Sequence, residues 1–142
     1  MSGSAKGLAA QVTEPASYVE FGVYVGTSMR FWSGLLKHPD TTFAGFDSFE
    51  GLPEVWRAAA DKSTFDLKGE LPRIDDPRVK FYKGWFTDTL PGFFKSFSPK
   101  PSLVLHLDAD LYSSTAFALE QVRPFLREGA MLIFDEFFDR EH

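Results

Sequence analysis

Apolar and polar positions fall in blocks along the chain, and the blocks switch between a period of two and a period near 3.6. Tyr18-Val19-Glu20-Phe21 is a short β-type run ended by Gly22; Met29, Trp32, Leu35 and Leu36 then recur at helical spacing, with Thr27 and Ser28 as cap residues before them. The helix stops before Pro39, and Thr41 to Phe46 predicts a second strand, β-branched and aromatic around a small Ala-Gly centre, with Asp47 at its end. A short helix is predicted over Glu54 to Ala60. Asp61 to Arg78 is polar and rich in Asp, Lys and Pro, a length of connection that lids, binding loops and disordered segments share. Val79 to Tyr82 predicts a third strand, Thr87 to Phe97 a loose helix with Pro91 near its start, and Ser102 to Leu107 a fourth strand closed by Asp108. From Tyr112 to Arg127 the pattern is helical, with Ala116, Leu119, Val122 and Leu126 on one face, Pro124 disturbing the last turn and Gly129 as the stop. Ala130 to Phe134 predicts a fifth strand, and Asp135 and Glu136 follow it directly.

Five apolar strands alternating with helices predict an α/β fold, a parallel sheet covered on both faces, because helical crossovers start each strand from the same end. Ligands in such sheets bind outside the carboxyl ends of the strands. The residues leaving those ends are Gly22 to Ser28, Asp47, Gly84 to Phe86, Asp108 to Asp110 and Asp135-Glu136, so the chemically suggestive residues gather on one rim.

Composition narrows the classes. The chain has 142 residues, enough for one core and short for two. It has no cysteine, which removes disulfide scaffolds, Cys-ligated zinc and thiol catalysis and fits a reducing compartment. A net charge of -5, with no run among its 15 Lys and Arg, argues against nucleic acid as a partner. No stretch approaches the roughly 18 apolar residues of a membrane span. Residues 1–17 are expected to be a flexible leader without a signal-peptide core, and the protein is expected in the cytoplasm. The aromatic share of 16%, with 16 Phe, predicts a Phe-rich core supplemented by a contact surface.

The first turn reads Glu20-x-Gly22-x-x-x-Gly26, with Thr27 and Ser28 opening the helix. Glycines let a backbone approach a ligand, and a helix N-terminus favours an anionic group such as a carboxylate. The same spacing also suits a tight strand-to-helix turn that binds nothing. The turn departs from the dinucleotide fingerprint, which needs a second glycine against a pyrophosphate, so NAD is disfavoured. Asp47 lies 27 residues after Glu20, near the spacing of the acid that accepts hydrogen bonds from a ribose; together the turn and the acid favour an adenosine-containing ligand. His106, inside the fourth strand, is expected to be a core residue.

Five runs carry a resemblance: Tyr18 to Met29 (YVEFGVYVGTSM), Phe46 to Pro53 (FDSFEGLP), Lys83 to Pro91 (KGWFTDTLP), Leu107 to Thr115 (LDADLYSST) and Gly129 to Phe137 (GAMLIFDEF). In order and spacing they resemble the macrocin O-methyltransferase family, class I S-adenosylmethionine-dependent enzymes that act mostly on sugar hydroxyls of natural products and carry a magnesium site. The resemblance covers nearly everything from Tyr18 onward and implies a methyltransferase domain over 18–142. It implies a Rossmann-like sheet in the order 3-2-1-4-5 that lacks the family's usual last two strands. Glu20, Gly22 and Gly26 would frame the methionine moiety, with Thr27 and Ser28 near its carboxylate. Asp47 and Ser48 would hold the ribose, and Gly84, Trp85 and Phe86 would border the adenine; for Trp85 and Phe86 plain core packing is the alternative.

Asp108, Asp135 and Glu136 resemble the family's three metal-ligating carboxylates, with Glu136 standing where the family usually has Asp. Like charges that close together call for a cation or a proton between them, and magnesium suits hard oxygen ligands. Asp108 is then the general base, and Asp110 is a second base or a helix cap. The expected acceptor is a small molecule with a sugar or natural-product hydroxyl. The alternatives are a catechol or phenol acceptor and a non-catalytic S-adenosylmethionine-binding module; a dehydrogenase-type nucleotide domain is disfavoured. Because relatives carry strands beyond the fifth, the chain reads as a fragment or as a short form whose fifth-strand edge needs cover, for example by a second copy in a homo-oligomer.

Overall fold

The two periods fold into a single parallel sheet with helices on both faces. The computed structural model describes residues 7, 10–12, 14–24, 26–47, 72–108, 112–127 and 129–134. Among these, β1 (Ala16–Phe21), α1 (Thr27–Leu35), β2 (Thr42–Asp47), β3 (Val79–Lys83), α2 (Phe86–Lys95), β4 (Ser102–Leu107), α3 (Tyr112–Val122) and β5 (Met131–Phe134) follow in order. The sheet order is β3-β2-β1-β4-β5, and each neighbouring pair is parallel. This is the expected order. The helix expected over Glu54 to Ala60 and most of the polar connection after it lie outside the described residues.

Register assigns each strand residue to a face. Tyr18 pairs with Phe43 and with Val104, and these three meet Met29 and Trp32 of α1 and the following Leu36. One residue along, Val19, Phe21, Ala44, Phe46, Leu103, Leu105 and Leu107 form the opposite face, closed by Leu90 and Phe94 of α2 and Ala118 and Val122 of α3. The central strand β1 is buried along its whole length, which is why it reads as a continuous run rather than an alternation. The Phe excess is mostly core. Rings pack against one another across the α2 side, as in the edge-to-face pair Phe46–Phe93 with centroids 4.9 Å apart and the tilted pair Phe94–Phe125 at 5.5 Å, each such pair adding about 0.5–1.5 kcal/mol beyond its buried area. At β5 the apolar side chains Leu132 and Phe134 are exposed. Gly45 lets the first turn and α1 sit directly on β2: a Cβ there would fall 2.8 Å from both Val23 Cγ2 and Met29 Cε.

Several boundaries move for tertiary reasons. β1 starts at Ala16 rather than Tyr18. The Ala16 amide donates to Thr41 Oγ1 (3.1 Å), while Glu14 Oε1 accepts from that hydroxyl and from the His38 amide, both at 2.9 Å. Residues 14–17, assigned above to the leader, are thereby tied to the start of β2. The N-cap of α1 is Gly26 in the left-handed conformation, with no side-chain cap, so Thr27 and Ser28 are the first helical residues rather than caps. In α2, which begins at Phe86, Pro91 sits inside the helix rather than near its start. Pro124 acts as expected, converting the end of α3 into a 3-10 turn over Arg123–Phe125.

Arg78, the last residue of the polar connection, joins that segment to the end of α1. Its Nη1 donates to Leu36 O (2.6 Å) and His38 O (3.0 Å), and its Nη2 to Ser33 O (3.0 Å), supplying donors to carbonyls the helix end leaves open. The guanidinium lies 4.8 Å from the centre of the Phe43 ring and 2.7 Å from the Asp76 carboxylate. The Arg78 hydrogen bond holds the Asp76 carboxyl below the usual carboxylate range. Arg78→Met is therefore expected to cost about 2–3 kcal/mol in urea unfolding at neutral pH, since it strips several charge-assisted hydrogen bonds at once. A carboxyl whose folded pKa is depressed stabilises the fold above its unfolded pKa and loses that contribution as pH falls through the folded value. The stability difference between wild type and Asp76→Asn should accordingly shrink as unfolding is measured from pH 6 down to about pH 3, below the ordinary carboxylate pKa.

Candidate functional site

Parallel pairing throughout brings every described strand out at the same rim, and the first turn, at the exit of the central strand, forms its centre. After β1 the chain turns through Gly22 (φ 98°), Tyr24 (φ 57°) and Gly26 (φ 89°) before entering α1. Gly26 cannot readily be another residue: its φ is left-handed, and a Cβ would meet Pro72 Cβ at 3.1 Å. The turn is hydrogen-bonded to its neighbours. The Gly22 amide donates to Phe46 O (2.9 Å) and the Gly26 amide to Val23 O (3.0 Å).

Asp47 leaves β2 beside this turn, and its Oδ2 accepts the amides of Val23 and Tyr24, both at 2.7 Å. One carboxylate thus fixes two consecutive amides of the first turn. Its backbone carbonyl accepts the Gly84 amide (3.0 Å), which ties the exit of β3 to the exit of β2. Asp108 leaves β4 on the other side: its amide donates to Phe21 O (2.8 Å), and its carbonyl accepts the Tyr24 hydroxyl (2.7 Å). Tyr24 therefore links three strand exits through its own turn, Asp47 and Asp108. A non-glycine residue at positive φ is uncommon and is kept where surrounding bonds over-determine it. No sequence signal singled out Tyr24, because it stands between the two glycines as an ordinary aromatic.

The remaining predicted residues divide. Trp85, at the N-cap of α2, is 64% exposed, so its ring stands available at the rim. Phe86 packs edge-on against Phe21, with centroids 6.0 Å apart, and belongs to the core. Thr27 is exposed and Ser28 half-buried, and the first turn of α1 contains no acidic residue, so its leading amides are left to the rim.

Glu20 lies below the rim rather than on it. It is 1% exposed, on the α1 face of the sheet, opposite His106 in register. The Tyr18 hydroxyl donates to Glu20 Oε1 and lies 2.9 Å from His106 Nδ1. The hydroxyl thus bridges the Glu20 carboxyl and the His106 ring. His106 is the core residue the sequence indicated, held in a polar triad that spacing did not reveal.

Pro72 and Arg73 return the chain over the start of α1, where Arg30 Nη2 donates to Arg73 O (3.1 Å). Ser48, Asp110, Asp135 and Glu136 lie outside the described residues. Among the described residues there is no group of three or more His, Cys, Asp or Glu side chains that could hold a metal ion.

Comparison with known proteins agrees with this geometry. Residues 19–137 match a family described as a methyltransferase domain. The 8-demethyl-8-(2,3-dimethoxy-alpha-L-rhamnosyl)-tetracenomycin-C 4'-O-methyltransferase of Streptomyces olivaceus is 36% identical, over 87% of this chain and 53% of its own length. The mycinamicin III 3''-O-methyltransferase of Micromonospora griseorubida is 30% identical, over 87% of this chain and 56% of its own length. Among solved structures, CalS11, a TDP-rhamnose 3'-O-methyltransferase of calicheamicin biosynthesis in its apo form, superposes with a TM-score of 0.66 at 26% identity, over 94% of this chain and 60% of that one. The chain spans about half the length of the curated relatives it matches.

The Asp47 clamp has a direct consequence for the turn. In Asp47→Ala the amides of Val23 and Tyr24 lose their acceptor, at a cost of about 1–3 kcal/mol. Native-state hydrogen exchange should show those two amides exchanging at least tenfold faster. The amides of β4 residues Leu103 to Leu105, which the clamp does not touch, should slow or speed only with global stability.

Proposed function

We propose, from the premise that the chain belongs to the methyltransferase-domain family, that it is an S-adenosylmethionine-dependent O-methyltransferase acting on a hydroxyl of a sugar or other small natural product. The observation that carries this reading is the rim, where the Asp47 carboxylate fixes the glycine turn while Trp85 stands exposed on one side and Asp108 hangs from Tyr24 on the other. The names of the similar proteins, which include a rhamnosyl-tetracenomycin C, mycinamicin III and TDP-rhamnose, support the substrate class.

In this reading Gly22 and Gly26 let the methionine moiety lie against the backbone, and Glu20 frames it from beneath, its carboxylate oriented by Tyr18. The methionine carboxylate takes the open amides of α1 with Thr27 and Ser28 beside it. Asp47 uses Oδ2 on the turn, and a carboxylate has further lone pairs with which to accept the ribose hydroxyls, with Ser48 following it in sequence. Gly84 allows the chain to bend away from β3, the Trp85 ring supplies a flat wall for adenine, and Phe86 backs that wall from the core.

The sulfonium methyl carbon is already electrophilic, so the chemistry asked of the protein is alignment and proton removal. The acceptor oxygen forms a bond to the methyl carbon as the carbon–sulfur bond breaks, the electron pair stays on sulfur, and the hydroxyl proton passes to the Asp108 carboxylate. Magnesium belongs to the same proposal. Leu107 pairs with Phe134 across the ladder; Asp108 and the two acids that follow β5 in sequence, Asp135 and Glu136, are the hard-oxygen donors that would hold it. When bound, it would lower the pKa of an acceptor hydroxyl.

Isothermal titration with S-adenosylmethionine should show saturable binding, weakened about tenfold by Trp85→Ala, as expected for loss of one stacking contact, and abolished by Asp47→Ala. Undetectable binding by the unaltered chain would sink the assignment. With TDP-rhamnose or a rhamnosylated aglycone as acceptor, Asp108→Asn should lower turnover by about 10²–10⁴ while leaving cofactor affinity within twofold. Cofactor binding without transfer to any acceptor would identify a non-catalytic module instead. Magnesium should raise turnover of the unaltered chain and have no effect on Asp135→Ala.

A further inference from the structure

At the amino ends of β1, β2 and β3, the opposite end of the strands from the rim, a cavity of about 640 Å³ opens between the sheet and the C-terminal end of α2. Its lining breaks the pattern of the face it lies on. Lys80 pairs with Ala44 in the ladder, which places an ammonium-bearing side chain on the face otherwise made of Val19, Phe21, Phe46, Leu103 and Leu105. Lys100 borders the same space. Its backbone is fixed on both sides, the amide donating to Ser17 Oγ (2.8 Å) and the carbonyl accepting Arg127 Nη2 (2.5 Å).

Neither ammonium is in an ion pair among the described residues. Arg78, the third cation of the lining, is engaged with Asp76 and the carbonyls at the end of α1, and Asp40 is the one acid among the described lining residues. In a chain of net charge -5 this cavity is locally positive. A second wall is aromatic and rigid. Tyr82 meets Phe93 at 5.3 Å, Phe93 meets Phe97 at 5.1 Å, and Tyr82 is itself stacked on the core residue Phe46 at 4.8 Å.

A ligand that uses the whole lining, two lysines without an ion pair among the described residues and a shelf of rings, has both a charge and a ring. An inorganic anion would leave the shelf bare, and a purely apolar molecule would desolvate the ammonium groups with nothing in return. The volume suits one small organic molecule. We propose that this cavity is a binding site for a small aromatic carboxylate, its ring on the Tyr82–Phe93–Phe97 shelf and its charge between Lys80 and Lys100, separate from the rim and independent of the chemistry performed there.

The probe is 2-naphthoate, titrated calorimetrically into the full chain with and without saturating S-adenosylhomocysteine. Saturable one-site binding is expected, unchanged by S-adenosylhomocysteine, and at least tenfold weaker in Lys80→Glu and in Lys100→Glu. Lys37→Glu, beyond the end of α1, should bind as the unaltered chain does, and 2-naphthylmethanol, with the same rings and no charge, should bind at least tenfold more weakly. Lys80 is exposed, so its replacement leaves the core intact, and Lys80→Gln gives a second variant with the same expected direction. The proposal is overturned by absent binding, by equal affinity for the alcohol, by full affinity in the Lys80 variants, or by competition from S-adenosylhomocysteine, which would put the probe at the rim.

Discussion

The Asp47 carboxylate and the two amides it accepts, from Val23 and Tyr24, are the contact on which the rest of the site depends. A strand-to-helix turn that carries positive φ at Gly22, Tyr24 and Gly26 has few local hydrogen bonds to hold it, and left to itself would sample other conformations. An acid at the end of the neighbouring strand supplies two charge-assisted bonds to consecutive amides, of a kind roughly twice as strong as neutral ones. With the turn fixed, the Tyr24 hydroxyl reaches the Asp108 carbonyl, and α1 begins where its open amides face the rim. The two halves of the proposed chemistry, cofactor on the β1–β2 side and base at β4, are therefore set relative to one another by one side chain and one tyrosine.

This arrangement needs a sheet that does not move, and the packing provides it. β1 is buried on both faces, with an aromatic and aliphatic layer under α1 and a denser stack of rings under α2 and α3. Gly45 removes the side chain that would hold α1 and Val23 away from β2. Arg78 fastens the far end of α1 to the segment leading into β3. The rim can then carry positive φ values, an exposed tryptophan and carboxylates, features that cost stability, because the central strands beneath it are closed by apolar contact on both sides.

Much of the fold and part of the site were legible in the sequence. The strands at Tyr18, Thr41, Val79, Ser102 and Ala130 declare themselves by β-branched and apolar runs, and Pro124 marks the end of α3, because period and punctuation are local properties; Gly129, read as the stop of a helix reaching Arg127, lies beyond it, since α3 ends at Val122 and its 3-10 turn at Phe125. Gly22, Gly26, Asp47 and Asp108 were found because they sit at strand ends, and a parallel sheet delivers all its strand ends to one rim. What local pattern did not carry were the pairings. Thr27 and Ser28 looked like caps, yet Gly26 caps α1 because the preceding turn arrives in the left-handed region. Trp85 and Phe86 are adjacent aromatics with the same sequence reading, and only the direction of α2 over Phe21 sends one into the core and leaves the other at the surface.

The sequence by itself determined the alternation of elements, the parallel sheet, the rim on which the carboxylates collect and the family to which the chain belongs, since each depends on spacing along the chain. The tertiary structure decided what each carboxylate does. Asp47 turns to amides 23 and 24 residues away, Glu20 lies beneath the rim in a triad with Tyr18 and a histidine from β4, and Lys80 of β3 borders the same cavity as Lys100 from the connection between α2 and β4. Hydrogen-bond partners, burial and local potential are set by segments that approach only when the sheet closes.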